Sequence, residues 1–324
     1  MPIQARLFFL YYLIENALTS VSLCYNIEEN DDGKDCAKMI YGAIEAGGTK
    51  FVCAVSDEQG ELKEKVSIPT TTPEETLNQV FSFFDSYDLD AIGIGSFGPI
   101  DVNTSSATYG YVTSTPKTAW KNYDFLGAIK NRYAIPVGWT TDVNAAALGE
   151  LKRGAALGLS SCVYLTVGTG IGGGAVINGK LLEGYGHPEM GHMMVRLHPD
   201  ETFGGFCPYH GDCLEGIAAG PAIEQRYGKK GHELADESAV WEMEAYYLAQ
   251  ALMNYTLVLS PERIVLGGGV MKQTQLFQLV RQEFEKLMNG YVQLPPLEEY
   301  IVPPALGDNA GITGCLLLAA EQIA

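Results

Sequence analysis

The residues best suited to chemistry are crowded between His187 and Cys213, where four of the five histidines and two of the seven cysteines fall. One set has the number and type of ligands for a tetrahedral zinc ion. Its members are His192, Cys207, His210 and Cys213. Two-residue gaps between the last three are typical of structural zinc sites. We therefore predict a closed, structural zinc site; the alternative is a loop of polar groups with one or two buried thiols.

A second candidate for chemistry is Asp142, which stands between a predicted strand, Val137–Thr141, and a predicted helix at residues 143–153. Open α/β sheets present reactive groups at the carboxyl ends of their parallel strands. A carboxylate there can take the proton of a substrate hydroxyl as the hydroxyl attacks a γ-phosphoryl group. The alternative role for Asp142 is that of a helix N-cap, and the two roles can coexist.

Three glycine-rich turns each follow a short apolar strand, the position at which α/β folds contact nucleotide phosphates. The turns lie at residues 45–49, 168–174 and 267–269. None matches the P-loop pattern, and the first two lead into strands, which excludes a dinucleotide-binding fingerprint. We expect glycines with positive φ in the two hairpins, with backbone N–H groups directed at phosphate across a cleft.

The elements that must position these residues form a repeated pattern. A strand, a glycine turn and a second strand occur over residues 40–55 and again over 162–177, where Asn178-Gly179 supplies a hairpin turn. Helices and strands alternate elsewhere, beginning with a helix capped at Thr72-Pro73. The pattern predicts an α/β fold with mainly parallel sheets in two similar lobes.

Length and composition fit a globular protein with room for two domains, since 47% of the 324 residues are hydrophobic. A net charge of -18 argues against a nucleic-acid partner, because binding phosphate backbones requires stripes of Lys and Arg. The seven cysteines are odd in number and scattered, so we expect a reducing cytoplasm rather than a disulfide framework. No run reaches the ~18 apolar residues of a membrane span, and we expect no membrane partner.

Residues 1–38 differ from the rest, with an apolar run over 7–14 followed by a polar, acidic stretch over 26–34. We expect a nonessential or disordered leader, with Met39 as a second start codon. A signal peptide is the alternative, but its charged region would be thin and residues 19–22 are a poor cleavage site. The predicted organisation is a leader (1–38), an N-terminal lobe (39–150) and a C-terminal lobe with the zinc loop (151–324).

Five motifs in one order resemble the ROK family of sugar kinases, most closely its zinc-containing bacterial fructokinases. They are Glu45-Ala-Gly-Gly-Thr49, Asp142-Val-Asn144-Ala-Ala-Ala-Leu-Gly149-Glu150, Gly168-Thr-Gly-Ile-Gly-Gly-Gly174, Glu189-Met-Gly-His192 and the Cys-x2-His-x2-Cys run. The resemblance covers the chain from about Met39 onward. It implies the actin-like ATPase (ribonuclease H-like) fold, with two lobes closing over ATP and a hexose. The implied reaction is ATP-dependent phosphorylation of D-fructose at its 6-hydroxyl, with Mg2+ on the nucleotide and Zn2+ in the zinc loop.

The resemblance also implies roles for individual residues. Asp142 is the expected catalytic base, and Glu189, His192 and Glu215 are the expected ligands of the sugar hydroxyls. His192 is also an expected zinc ligand, so that one ring nitrogen holds metal while the other faces sugar. The expected nucleotide contacts are Gly47, Gly48, Thr49 and Lys50 from the first turn, Thr169, Gly170 and Gly172 from the second, and Gly268 and Gly269 from the third.

Two positions depart from the family's pattern. Many relatives have aspartate where this chain has Glu45, and the extra methylene bears on how a magnesium-bound water is held. Glucose-directed members usually have asparagine before the catalytic aspartate, where this chain has Thr141. We count Thr141 among the substrate-binding candidates, and its short side chain favours fructose over glucose. A kinase for mannose, glucose or another hexose is the alternative.

Two rivals belong to other functional classes. ROK relatives include sugar-sensing transcription regulators, but these need a helix-turn-helix, and residues 1–38 show no paired helical periodicity. An actin-like assembly protein is disfavoured because a filament has no evident use for Glu189, His192 and Glu215. The resemblance further implies a homodimer.

Two histidines have no assigned role. His187 is next to Pro188 and close to Glu189, so it is either a pocket residue or a plain loop residue. We expect His198 in the surface loop that leads to Cys207.

Overall fold

The computed structural model describes residues 38–324. Apart from Lys38, the predicted leader lies outside the described residues, and its dispensability stays a prediction. Residues Met39–Ala324 form one compact unit. Within the described residues, no helix combines the length and apolar character needed to cross a membrane.

Strands and helices alternate along the described chain as the sequence predicts. The strands are β1 (Ile40–Ala46), β2 (Lys50–Asp57), β3 (Leu62–Pro69), β4 (Ala91–Ser96), β5 (Tyr111–Val112), β6 (Tyr123–Asp124), β7 (Val137–Thr141), β8 (Cys162–Val167), β9 (Ile171–Ile177), β10 (Lys180–Leu181), β11 (Arg263–Gly267) and β12 (Ile301–Val302). The α-helices are α1 (Pro73–Phe84), α2 (Phe125–Arg132), α3 (Asp142–Arg153), α4 (Leu214–Ala218), α5 (Gly220–Tyr227), α6 (Ser238–Leu259), α7 (Gln275–Met288), α8 (Leu297–Tyr300) and α9 (Ala310–Ala320).

The main strands form two five-stranded sheets with the same topology. The first has the order β3-β2-β1-β4-β7, and the second has the order β10-β9-β8-β11-β12. In each sheet, two successive antiparallel pairings join the first three strands, and the last two strands run parallel to the central one. This repeat confirms the α/β fold with two similar halves that the duplicated hairpins predict. The expectation of mainly parallel sheets is wrong, because each sheet has two antiparallel and two parallel pairings.

Local signals set the ends of several elements. α1 begins at Pro73 because the Thr72 hydroxyl accepts a hydrogen bond from the Glu75 N–H at 3.3 Å. Asn178 and Gly179 have φ values of 52° and 75°, the positive values that a two-residue hairpin turn requires. These local predictions are confirmed.

Each sheet carries its own hydrophobic core. The first is built around aromatic rings, among them Phe51 and Trp120, whose centroids lie 5.2 Å apart. The second encloses much of α6, where Tyr247 and Tyr255 are buried and Tyr246 is half-buried.

The last helix, α9, returns to the first sheet and packs on α3, β1 and β4. Its contact with α3 is backbone to backbone: a Cβ at Gly314 would lie 1.7 Å from the Ala145 oxygen, and one at Gly149 would lie 2.3 Å from the Ala310 oxygen. Only glycine permits this approach, which holds α3 tightly against α9. The predicted lobe boundary after residue 150 falls within α3 and stays a prediction.

Candidate active site

A cavity of about 450 Å³ opens between the two sheets, a volume in the range of small-molecule and cofactor sites. Glu45 and Lys50 line it from the first sheet, and Thr166 and the adjacent Gly268 line it from the second. Asp142, the first residue of α3, faces the same cavity. The structure thus brings the predicted base together with predicted nucleotide residues from the first and third turns.

Asp142 lies at the start of α3 but does not cap it. The N-cap is Thr141, whose hydroxyl accepts a hydrogen bond from the Asn144 N–H at 3.1 Å. Thr141 is only 3% exposed. The N-cap alternative for Asp142 is therefore wrong, because the helix begins one residue earlier than predicted. Asp142 Oδ1 instead accepts the N–H of Val143 at 2.9 Å, and the rest of the carboxylate is free to face the cavity.

The electrostatics of the cavity favour a protonatable Asp142. Burial raises the pKa of Asp142 to about 7, and the negative charges of Glu45 and Glu189 contribute to the rise. A general base is most effective when its pKa lies near the working pH. Asp142 therefore has the position and the pKa of a base that accepts a proton from a bound hydroxyl.

Glu45 reaches the beginning of α9. Burial raises the pKa of Glu45 to about 7, while Lys50 and a hydrogen bond from the backbone N–H of Ile312 oppose the rise. A Cβ at Gly311 would lie 2.5 Å from Glu45 Oε1, so the glycine leaves room for the carboxylate. The Glu45 side chain thus ends at a helix N-terminus, where a negative charge is stabilised.

The first glycine turn is closed by its own backbone. The Gly47 N–H donates to the Lys50 oxygen at 3.0 Å, and the Thr70 hydroxyl donates to the Gly47 oxygen at 2.7 Å. Thr49 and Lys50 are exposed at its tip. Neither Gly47 nor Gly48 has a positive φ, which contradicts the expectation for this hairpin.

The second glycine turn is shorter than predicted, because β9 already begins at Ile171. None of its glycines has a positive φ, so that expectation is wrong here as well. Gly172 and Gly174 lie inside the strand, where a Cβ would come within 2.9 Å of Val143 Cγ1 and 2.2 Å of the Val143 oxygen, respectively. These glycines are needed because α3 begins directly against the strand. Thr169 and Gly170 remain in the turn, and Thr169 is exposed.

The third turn does contain a glycine with positive φ. Gly268 has a φ of 93°, and a Cβ there would lie 2.4 Å from the Val167 oxygen. A Cβ at Gly168 would lie 3.9 Å from the backbone nitrogen of Gly269, so the second and third turns are neighbours. Predicted contacts from these two turns therefore meet on one side of the cleft.

Lys117 is a candidate that the motifs missed. Its side chain crosses the first turn, where a Cβ at Gly48 would lie 3.2 Å from Lys117 Cε and 3.9 Å from Nζ. The segment is held in place by Trp120, whose indole N–H donates to the Thr71 oxygen at 2.8 Å. A lone lysine after a proline has no distinctive spacing in the sequence, so only the fold reveals an ammonium group beside this turn.

The predicted sugar ligands Glu189, His192 and Glu215 lie together. The backbone N–H of His192 donates to the backbone oxygen of Glu189 at 3.1 Å, and the side-chain atom His192 Nε2 lies 4.0 Å from Glu215 Oε1. Glu215 Oε2 accepts the N–H of Ile171 at 2.9 Å, which ties the group to the second glycine turn. Carboxylate oxygens accept hydrogen bonds from hydroxyl groups, so the group has the chemistry to bind a polyol.

The two unassigned histidines have different surroundings. His187 is 7% exposed at its side chain, and its Nε2 accepts the Ile100 N–H at 3.0 Å. It therefore contacts the first sheet's turn beside the site and is not a plain loop residue. His198 is half-buried, with its ring 5.0 Å from that of Tyr246.

The four predicted zinc ligands converge. Each of these residues offers one ligand atom, and the four atoms lie within 4.8 Å of one another; the residues are His192, Cys207, His210 and Cys213. His192 Nδ1 is 3.7 Å from Cys207 Sγ and 3.5 Å from Cys213 Sγ, and His210 Nδ1 is 3.8 Å from Cys207 Sγ. A tetrahedral ion with Zn–S of about 2.3 Å and Zn–N of about 2.0–2.1 Å requires N···S separations of about 3.6 Å. The cluster thus fits zinc in ligand type and spacing, with His192 Nε2 directed away from it.

Comparison with known proteins identifies the family. Residues 41–322 match the ROK family. A fructokinase of Pediococcus pentosaceus is 50% identical over 285 residues, which are 88% of this chain and 99% of that protein. A fructokinase of Lactococcus lactis subsp. cremoris is 50% identical over 277 residues, 85% of this chain and 94% of that protein.

A solved structure with the same architecture is the ROK hexokinase from Thermus thermophilus. It has a TM-score of 0.73 and 27% sequence identity, and the match covers 88% of this chain and 99% of that one. The likeness confirms the predicted actin-like ATPase fold. Because the family match spans nearly all of the described residues, and relatives with half of their residues identical align over most of their length, this chain belongs to the ROK family.

Proposed function

We propose that this chain is an ATP-dependent fructokinase, which transfers the γ-phosphoryl group of ATP to the 6-hydroxyl of D-fructose and yields D-fructose 6-phosphate and ADP. The observation that carries the proposal is the location of Asp142. It lines the cavity with Lys50 and Gly268, and it lies near enough to Glu189 for that carboxylate to raise its pKa. The ROK relatives described above, each 50% identical to this chain, are named fructokinases.

Asp142 is the proposed catalytic base. With a pKa of about 7, it is largely deprotonated just above neutral pH and still basic enough to accept the proton of the attacking hydroxyl. Phosphoryl transfer needs little covalent participation from the protein, so orienting the hydroxyl and stabilising phosphoryl charge account for most of the catalysis.

Glu189, His192 and Glu215 are the proposed ligands of the sugar hydroxyls. Burial raises the pKa of Glu189, and the charge of Glu215 adds to that rise, so a hydroxyl donor between them relieves their repulsion. Thr141 is the fourth proposed contact. Because its oxygen already caps α3, its hydroxyl hydrogen is the group it can offer to a sugar oxygen.

The proposed phosphate contacts are backbone groups and cations around the glycine turns. They are Gly47, Gly48, Thr49, Lys50, Thr169, Gly170, Gly172, Gly268 and Gly269, joined by Lys117. Magnesium bound to ATP would neutralise phosphoryl charge during transfer. Glu45 would hold that ion through water, because it places a hard carboxylate oxygen in the cavity.

Zinc is the proposed occupant of the cysteine and histidine cluster. It would be held by His192 Nδ1, Cys207, His210 and Cys213, and it would supply structural cross-linking of the loop. His192 would then link metal to substrate, because its Nε2 faces Glu215, a proposed sugar ligand.

A coupled ADP-release assay with fructose, mannose, glucose and N-acetylated hexoses tests the substrate, and NMR of the product tests the phosphorylated position. We expect the highest kcat/KM with fructose and phosphate on its 6-oxygen. A much higher kcat/KM with mannose or glucose would contradict the fructose assignment in favour of the alternative hexose kinase. Release of ADP without any phosphorylated sugar would contradict kinase activity itself.

We also propose a homodimer that works in the cytoplasm. Adjacent apolar side chains at the end of α6 support an interface, since Leu257 is 47% exposed and Val258 is 79% exposed. Buried free thiols among the described residues fit a reducing compartment. Light scattering tests the oligomer: the wild-type chain should have twice the monomer mass, and Val258→Glu should shift it toward the monomer.

A further inference from the structure

His187 lies where the two halves of the site meet. It precedes Glu189 in the segment that follows the second sheet's hairpin, and its ring contacts the turn that follows β4 of the first sheet. A Cβ at Gly98 in that turn would lie 3.4 Å from His187 Cε1 and 3.5 Å from Glu189 Oε1. The turn, the imidazole and the carboxylate therefore form one packed group.

The hydrogen bond from the Ile100 N–H to His187 Nε2, at 3.0 Å, determines the tautomer of the ring. Because Nε2 accepts this bond, the neutral ring carries its proton on Nδ1. Nδ1 lies 3.6 Å from Glu189 Oε1, slightly beyond hydrogen-bond distance, so the polar edge of the ring faces the carboxylate as an electrostatic neighbour without a direct hydrogen bond. Burial lowers the pKa of His187, which favours the neutral ring that this pairing requires.

The surroundings of His187 distinguish two roles for its ring, which are to position Glu189 or only to fill space in the packing. A buried apolar ring would fill the same space, but it would leave the Ile100 N–H without its acceptor and Glu189 without the polar group that faces it. A polar group that packs beside a ligating side chain limits its orientation, as outer groups do around metal ligands. Glu189 is itself half-exposed at its side chain, so its orientation depends on such support.

We infer that His187 is a positioning residue for hexose binding, which holds the Glu189 carboxylate in its sugar-binding orientation and ties that orientation to residues 98–100 across the cleft. The inference rests on the proposed function, because Glu189 is a proposed sugar ligand. It adds a residue outside the motifs that indicate the sugar site.

Three variants of the full-length protein test the inference. His187→Phe keeps a ring of similar size and removes both nitrogens. His187→Gln carries an amide oxygen that can reach the position of Nε2 and accept the Ile100 N–H. His198→Phe is the matched control, because His198 Nδ1 also accepts a backbone N–H, that of Asp200 at 3.2 Å, in the same segment.

The measurements are the calorimetric Kd of fructose, the KM values for fructose and ATP, kcat, and the melting temperature of each variant. We expect His187→Phe to raise the fructose Kd and KM about tenfold, the scale of one lost hydrogen bond in a positioning network, and to leave the KM for ATP within about twofold. His187→Gln should recover part of the loss, and His198→Phe should bind fructose like the wild type. If His187→Phe does not fold, His187→Leu gives the same test, because its side chain also lacks both the acceptor for the Ile100 N–H and the group that faces Glu189.

A wild-type fructose Kd in the folded His187 variant would overturn the inference, as would an equal loss in His198→Phe. These results leave the proposed function intact, provided that the wild-type chain phosphorylates fructose. If the wild-type chain binds another hexose and not fructose, the same variants are titrated with that hexose, and only the substrate assignment fails. If it binds no hexose at all, the inference fails together with the proposed function.

Discussion

Asp142→Asn separates the chemical role of Asp142 from its structural one. Asparagine has nearly the same shape, and its Oδ1 can keep the bond from the Val143 N–H that Asp142 accepts at 2.9 Å. The variant loses only the negative charge and the ability to take a proton. Since a positioned general base contributes about 10²–10⁴-fold, we expect kcat to fall by about that factor while the fructose Kd changes little.

The same substitution has a pH-dependent effect on stability that follows from the raised pKa. Burial raises the pKa of Asp142 from 3.8 to about 7. A carboxyl group whose pKa is higher in the folded state than in the unfolded state costs stability as pH rises between those two values. A difference of about three pKa units at 1.36 kcal/mol each amounts to a cost of about 4 kcal/mol in the free energy of unfolding. This cost is fully present above pH 7 and absent below about pH 4.

We therefore expect Asp142→Asn to increase the free energy of unfolding of the ligand-free protein, with a gain that grows from pH 5 to pH 8 toward about 4 kcal/mol. Urea unfolding at pH 5, 6.5 and 8 measures this gain, and the ADP-release assay measures kcat. Asp88→Asn is the control, because Asp88 is exposed and lies outside the motifs. This variant removes one negative charge, and it should change neither kcat nor the pH dependence of stability. A kcat within tenfold of the wild type would refute the base assignment. A gain that is independent of pH would refute the electrostatic argument.

Other perturbations test the remaining parts of the site. Removal of zinc by a chelator, or His192→Ala, should lower the melting temperature and also raise the KM for fructose; an unchanged KM would confine the cluster to a structural role. Gly174→Ala should destabilise the fold by about 1–3 kcal/mol and lower kcat, because its Cβ would lie 2.2 Å from the Val143 oxygen at the start of α3. Gly204→Ala, where a Cβ meets nothing within 4 Å, is its control in thermal unfolding, and equal effects would contradict the close-approach argument. Lys117→Met should lower kcat/KM for ATP by about tenfold or more, whereas the exposed Lys121→Met should not; equal values for the two variants would remove Lys117 from the phosphate site.

Most of the secondary structure could be predicted because its signals are local. The Thr72 cap, the Asn178-Gly179 turn and the strand Val137–Thr141 each depend on residues within a few positions of one another. The ligand spacing from Cys207 to Cys213 is equally local, and the four ligand atoms do converge. The repeated hairpins predicted two similar sheets, since a repeated order of elements implies a repeated topology.

The errors concern backbone details that neighbouring elements impose. The expectation of positive φ failed for Gly47, Gly48 and the second turn because the absence of a side chain, not the left-handed conformation, is what the packing requires at positions such as Gly174. The N-cap is Thr141 and not Asp142, because the hydroxyl of the last strand residue accepts the Asn144 N–H. A pattern of glycines does not distinguish these two uses, since both select for the same residue.

The sequence by itself determined the α/β fold, the order of its elements, the cysteine and histidine set that is proposed to bind zinc, and the candidate base. Only the tertiary structure decided which distant groups support them: the Ile312 N–H that holds Glu45, the Ile100 N–H that holds His187, and the ammonium of Lys117 beside Gly48. The physical reason is the distance along the chain between the residues that interact. Caps, turns and ligand spacings are encoded by neighbours along the chain, whereas these contacts form between segments that meet only when the two sheets and α9 have packed.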